Sequence, residues 1–360
     1  VKAGHGPRDL TGKVVLVTGG ARGVGEAISR AFAARGAHVV VNYFHSRQEA
    51  PALLESILAA GGSAELIRAS VAVRAQVEDM FDQVEARHGG LDILVNNAGA
   101  GALGSVDEID DRYWERAWTA DLRGSLWCAQ QAARLMDSRG GGAIVNVSSI
   151  GGGSLVMHGF SACGTAKAAV EALTRYLAVE YASRGIRVNT ATCGVLDSPV
   201  VDGFPEADRF KDRVREATPL GERLGRAEEV AEVVAFLASP AASWVTGQNL
   251  LADGGLSLGS MLLAPGPDMG TRARTGTVAA RTSAPSMPSM PSMHAAPPAG
   301  SAVPHSAVPP EEAGRARRPE QAPHTALERP QTPRTPSGVH PALEQETEAA
   351  DTPPAAEPLP

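Results

Sequence analysis

Residues 18–25 read TGGARGVG, between the apolar β-branched run KVVLVT (13–18) and a stretch of helical period. Glycines there let a chain turn sharply and bring its amides close to a diphosphate. The helix start adds unpaired N–H groups and a partial positive charge. A strand before and a helix after are what turn a glycine cluster into a dinucleotide cradle. Thr18, Gly19, Arg22, Gly23, Val24 and Gly25 are therefore the expected phosphate contacts. The end of the second apolar run decides between the two nicotinamide cofactors. A carboxylate there would bond the ribose 2′-hydroxyl and select NAD. This chain reads Asn42-Tyr43-Phe44-His45-Ser46-Arg47 instead. Arg47 and Arg22 are available to a 2′-phosphate and Ser46 can donate to it. Asn42, Ser46 and Arg47 are thus candidate contacts, and NADP(H) is the expected cofactor. The competing reading of Arg47 is a solvated residue at a helix start.

Positioning such a cradle takes a sheet. Apolar runs at 13–18, 38–43, 64–69, 91–97, 143–148, 186–191 and 249–253 alternate with helix-period stretches. Those stretches run to residue 34 and over 46–60, 76–87, 107–136, 161–183, 203–217 and 226–238. Fully apolar strands alternating with helices argue a parallel sheet covered on both faces. Right-handed crossovers then make it a doubly wound α/β fold of the Rossmann type, with about seven strands.

The 360 residues divide unevenly. Residues 1–9 read as an extension and 10–260 as the nucleotide-binding domain. Residues 261–360 read as a tail holding most of the 26 prolines. Its text (APSMPSMPSM, QTPRTPSG, DTPPAAEPLP) shows no period, so it is expected to be disordered. A docking role in polyproline II form is the lesser alternative. A net charge of −7 excludes an overall nucleic-acid footprint. Three cysteines without metal spacing (Cys128, Cys163, Cys193) fit a reducing compartment and no metal site. VKAGHGPRDLTGK is polar where a leader would be apolar, and no run reaches membrane length. A cytoplasmic protein is the expectation.

Taken together, the motifs resemble the short-chain dehydrogenase/reductase family over about 250 residues. TGGARGVG is joined by the NNAG of Asn96–Gly99, VSS ending at Ser149, Lys167 in TAKAAVEALTRYLAVEYA, and VTGQNLLADGG at 245–255. Cys193-Gly194 in place of a Pro-Gly, with CGTAKAAVEALTRYLAVEYA, looks most like FabL-type enoyl-carrier-protein reductases. FabG-type 3-oxoacyl reductases are the alternative. The resemblance adds Ser70, Val71, Asn97, Ala98, Gly99, Lys167, Gly194 and Val195 as cofactor contacts. It also implies a small-molecule or acyl-carrier-bound substrate and a homodimer or homotetramer built on the helices at 107–136 and 161–183.

In the family, hydride moves between the nicotinamide and a carbonyl or enoyl carbon. A tyrosine, a serine, a lysine and a relay asparagine serve the oxygen where charge develops. Ser149 and Lys167 match. The tyrosine does not: four residues before the lysine stands Cys163, and seven before it stands Phe160. Asp121 replaces the asparagine, so Ser149, Lys167, Cys163 and Asp121 are the candidate catalytic set. Three outcomes follow from the substitution. Cys163 or His158 acts as the acid, an activated acceptor does without the phenol, or the chain is an inactive cofactor-binding partner with Asp121 statically paired to Lys167. Downstream, Val200, Val201, Phe204 and Pro205 form a candidate acyl-chain patch. Arg213, Arg215, Arg223 and Arg226 form a candidate docking face for an acidic carrier.

Overall fold

In the computed structural model, residues 9–101, 104–204 and 206–259 are described. The expectations for residues 1–8, for Pro205 and for the 261–360 tail lie outside them.

Seven strands form one sheet: β1 (Val14–Val17), β2 (His38–Tyr43), β3 (Ser63–Arg68), β4 (Ile93–Asn96), β5 (Gly142–Ser149), β6 (Ile186–Cys193) and β7 (Asn249–Ala252). Every pairing is parallel, in the order β3-β2-β1-β4-β5-β6-β7. The helices are α1 (Gly23–Ala34), α2 (Glu49–Ala59), α3 (Arg74–His88), α4 (Asp111–Ala117), α5 (Gly124–Asp137), α6 (Ser161–Tyr181), α7 (Pro199–Asp202), α8 (Ala207–Ala217), α9 (Ala227–Ala238) and α10 (Leu256–Gly259).

The central strands are largely apolar because each face meets its own helical layer. Val15, Val17, Val39, Val41, Ile93, Val95 and Val145 project into one buried cluster with Ile28 and Phe32 of α1 and Val230 and Val234 of α9. Their sequence neighbours Val14, Leu16, Val40, Leu94 and Ile144 project into the other, with Met80 and Phe81 of α3 and Leu135 of α5. The two-residue period of a strand sorts the side chains. Half-buried Arg187 of β6 donates to the carbonyls of Leu237, Ala238 and Ser239 at 2.7–3.2 Å, capping the C-terminal end of α9.

The long helix expected over 107–136 starts at Asp111 and runs to Asp137 through a change of winding. Between α4 and α5, Trp118–Arg123 forms a π-helical turn, and it buries Ala120 and Asp121. Ahead of it, Asp110 accepts from the Tyr113 amide and starts α4. Within the stretch of helical pieces expected over 203–217 lies α8, and the single turn α7 precedes it. Among the described residues no helix is long and apolar enough to cross a membrane.

Candidate active site

The strand order reverses between β1 and β4, and the carboxyl ends of strands at such a switch point frame a ligand crevice. The glycine turn leaves β1 there. Gly19 (φ 60°) and Gly23 (φ 56°) occupy the left-handed region that a side chain resists. A Cβ on Gly25 would stand 2.2 Å from the Gly19 carbonyl oxygen and 2.5 Å from Asn97 Nδ2, so only glycine lets α1 start against the turn.

The turn is fixed from β4. The Thr18 hydroxyl accepts from the amides of Asn97 (3.0 Å) and Ala98 (3.1 Å) and donates to the Val95 carbonyl (3.3 Å). Asn97 Nδ2 donates to the carbonyls of Thr18 and Gly19, both at 3.0 Å. Arg22 at the start of α1 provides no side-chain cap. The first amides of α1 therefore lack acceptors of their own and suit an anion. Val24 sits half-buried behind them.

Asn42 is placed differently from the expectation of a cofactor contact. It is 1% exposed; its Oδ1 accepts from the Gly19 amide, and its Nδ2 donates to the carbonyls of Ile67 and Ala69. It braces the turn against β2 and β3 from inside. Ser46 is buried, whereas Arg47 and Arg22 are exposed. Neither guanidinium is ion-paired with a described residue. Ser70 caps the turn after β3, its Oγ accepting from the Ala72 amide, and Val71 is buried beneath Gly124. Gly194 packs on Asp253, where a Cβ would come within 2.6 Å of the Asp253 Cα, and Val195 is buried.

The catalytic candidates gather at the ends of β4 and β5. Lys167 Nζ donates to the Val147 carbonyl at 3.1 Å and stands 3.5 Å from Asp121 Oδ2. The Asp121 side chain is 3% exposed, and its Oδ1 accepts from the Ala100 amide at 2.9 Å. The π turn presents this carboxylate, and Gly99 makes room for it: a Cβ there would lie 2.8 Å from Oδ1. Ser149 Oγ accepts from the Gly151 amide at 3.3 Å, which leaves its own hydrogen available to a ligand.

Cys163 lies one helical turn before Lys167 and is 3% exposed, with its Sγ facing Gly101 in the loop after β4. Phe160 precedes α6 and stacks on Phe204 (6.3 Å), which stacks on Phe210 (5.1 Å). Of the expected acyl-chain patch, Val201 is buried, Val200 is exposed and Phe204 is intermediate. His158 is exposed. Three of the four expected docking arginines are paired locally, Arg215 with Asp212 and Arg223 and Arg226 with Glu229.

Sequence reading passed over Glu171, one turn beyond Lys167. Its Oε1 accepts from the hydroxyls of Ser148 (2.7 Å) and Thr192 (3.0 Å), joining β5 and β6 directly behind the site. The signal was its spacing of four from the lysine on one helix face. Burial pushes the Cys193 thiol, beside this network, up to about 12, with Lys167 opposing.

With this geometry in hand, comparison with known proteins is decisive for family. Residues 19–257 match the model of the enoyl-(acyl carrier protein) reductases. The chain belongs to the short-chain dehydrogenase/reductase family. It is 43% identical over 244 residues to a cis-4-hydroxycyclohexanecarboxylate dehydrogenase of Sinomonas cyclohexanicum, covering 68% of this chain and 96% of the relative. It is 36% identical to a 1-cyclohexenylcarbonyl-CoA reductase of Streptomyces collinus, covering 68% and 87%. A gluconate 5-dehydrogenase of Burkholderia cenocepacia, solved with NADP and tartrate, superimposes with a TM-score of 0.65 at 33% identity, covering 70% and 97%. These short-chain dehydrogenase/reductase relatives are oxidoreductases, and the family binds NAD or NADP.

Proposed function

We propose that the chain is an NADPH-dependent reductase of an enoyl- or 3-oxoacyl-thioester, or of a related carbonyl compound, working without the family tyrosine. The observation that carries this reading is the convergence of the glycine turn, Lys167 and Ser149 on one edge of the sheet. The turn fits a dinucleotide, since it keeps a left-handed backbone and a helix start with no side-chain cap. Thr18, Gly19, Gly23, Val24 and Gly25 would line the diphosphate, with Asn97–Gly99, Ser70, Val71, Gly194 and Val195 bordering the rest. Arg22 and Arg47, without an ion-pair partner among the described residues, would meet a 2′-phosphate, which favours NADP(H). Lys167 would hold the nicotinamide ribose. When bound, the cofactor supplies the hydride.

The protein's own part is to stabilise the oxygen on which negative charge grows. Ser149 can donate there because among the described residues its hydroxyl only accepts, from the Gly151 amide. Cys163 occupies the tyrosine's place on α6, where its thiol is buried. Losing one oxyanion donor typically costs about 2.7–4 kcal/mol, a factor of 10²–10³ in rate. The expected enzyme is slow and suited to an activated acceptor. The named activities of the Sinomonas and Streptomyces relatives, a dehydrogenase and an acyl-CoA reductase on six-membered carbocycles, point to a compact cyclic acyl group as a further substrate to try. The family's homodimer or homotetramer would use the outward faces of α4 and α6, where Trp114, Tyr176 and Val179 are exposed.

One observation favours a second reading. The Asp121–Lys167 pair, 3.5 Å apart, would fit a static ion pair in an inactive cofactor-binding partner subunit. The full chain should be assayed for NADPH oxidation with crotonyl-, acetoacetyl- and cyclohexenylcarbonyl-thioesters and small quinones. Turnover abolished by Lys167→Ala supports the reductase. Tight NADPH binding with no turnover on any acceptor supports the partner subunit.

A further inference from the structure

At the opposite edge of the sheet, remote from the dinucleotide crevice, three side chains converge that the proposed reaction does not use. His38 opens β2, Glu65 lies in β3, and His88 ends α3. The register pairs His38 with Ser63 and Val40 with Glu65, so His38 and Glu65 share the sheet face that α3 covers. His88 is delivered to that face by the last turn of α3, which Gly89 closes in the left-handed conformation (φ 69°). One ring nitrogen of each histidine and one carboxylate oxygen of Glu65 all lie within 4.8 Å of one another. The histidine ring centroids are 4.6 Å apart.

The detail of the hydrogen bonding points to a ligand. His38 Nδ1 is engaged by the Ser63 hydroxyl at 2.7 Å, while its Nε2 is buried with no hydrogen-bond partner. A ring fixed through one nitrogen, with the other left as a lone pair, is the usual state of a metal-ligating histidine. Glu65 Oε1 bonds His88 Nε2 at 2.8 Å, and its Oε2 accepts from Arg87 at 2.9 Å. The carboxylate is thus held by one neighbour and shared with another that can also ligate.

We infer that His38, Glu65 and His88 form a binding site for a zinc-class divalent transition metal ion. The donor set is two imidazoles and one carboxylate, which suits zinc, with water completing a tetrahedron. It does not suit magnesium or calcium, which take oxygen ligands. Ligand atoms around tetrahedral zinc stand about 3.3 Å apart, given bonds of about 2.0–2.1 Å. The candidate ligand atoms already lie within 4.8 Å of one another, with His88 Nε2 2.8 Å from Glu65 Oε1. The bound ion would cross-link β2, β3 and α3.

The test uses the full chain stripped with a chelator, titrated with Co²⁺ by visible absorption and with Zn²⁺ by competition. The histidines outside this cluster provide background binding, so a His38→Gln/His88→Gln double variant is the reference. Wild type should bind one equivalent more than the reference and unfold at a higher temperature with Zn²⁺ than without. Each single histidine variant should bind at least tenfold more weakly. Ser63→Ala, at an exposed position that leaves the fold intact, should weaken binding roughly 10–100-fold by releasing the His38 ring. Equal stoichiometry and affinity in wild type and the double variant would overturn the site. So would equal Zn²⁺ affinity in wild type and Ser63→Ala, and so would stabilisation by Mg²⁺ matching that by Zn²⁺.

Discussion

Replacing Thr18 by valine tests how the cradle is held. The two side chains have the same shape, so no cavity opens, and the change is confined to the hydroxyl. That hydroxyl accepts from the Asn97 and Ala98 amides, and Thr18 is 1% exposed. Two N–H groups on half-buried residues would lose their acceptor, at up to about 1–3 kcal/mol each. The Val95 carbonyl keeps a partner, since it also accepts from the Thr18 amide at 3.0 Å. The expected loss is therefore up to about 2–6 kcal/mol. Urea unfolding followed by tryptophan fluorescence would read this as a fall in midpoint on the order of 1 M, given slopes of about 1–3 kcal/mol/M. Thr18→Ser keeps the hydroxyl and should lose only about 0.8 kcal/mol for the missing methyl group. NADPH affinity should fall in the valine variant and hold in the serine variant. A valine variant within about 0.5 kcal/mol of wild type, the range of an indifferent surface change, would refute this account of the turn.

Other consequences are as direct. Gly25→Ala should cut NADPH affinity at least tenfold in a binding titration, because its Cβ would sit 2.2 Å from backbone oxygen. Glu229 is drawn down to about 2, first by the hydrogen bonds from Arg223 and then by the Arg226 amide. A carboxylate depressed on folding stabilises above its unfolded pKa, and that stability disappears as pH falls toward about 2. Glu229→Gln should therefore flatten the acid limb of a stability–pH curve while changing its slope little above pH 6. The side chain is 38% exposed, so salt should shrink the effect. All three cysteines are buried, and Cys128 and Cys193 are pushed up to about 12. A thiol-reactive reagent at neutral pH should label the chain only after unfolding. Rapid labelling of Cys163 in the folded protein would show an open thiol at the tyrosine's position.

The strands were legible because burial on both faces of the central sheet keeps their middles apolar. Val14–Val17, His38–Tyr43, Ile93–Asn96 and Asn249–Ala252 fall within the apolar runs that announce them, and the other three strands overrun theirs by one or two residues. The glycine turn was equally plain, since its residue types follow from backbone demands. The π turn at Trp118–Arg123 was not, because extra residues in a helix leave the hydrophobic period nearly intact and no proline or glycine interrupts them. Asn42 illustrates a different limit. Its place at the end of β2 suggested a ligand contact, yet the same position lets its amide brace three backbone segments at once, which only tertiary pairing reveals. The pairing of Asp121 with Lys167 was foreseeable from charge. The bridge from Glu171 to Ser148 and Thr192 depends on the register of β5 against β6, which spacing within α6 does not encode.

The most direct test of the central claim is a paired titration of the full chain with NADPH and NADH, followed by cofactor fluorescence. NADPH should bind at least tenfold more tightly, and that preference should vanish in the Arg22→Ala/Arg47→Ala double variant. Equal affinity for the two cofactors, or uptake of neither, would contradict it.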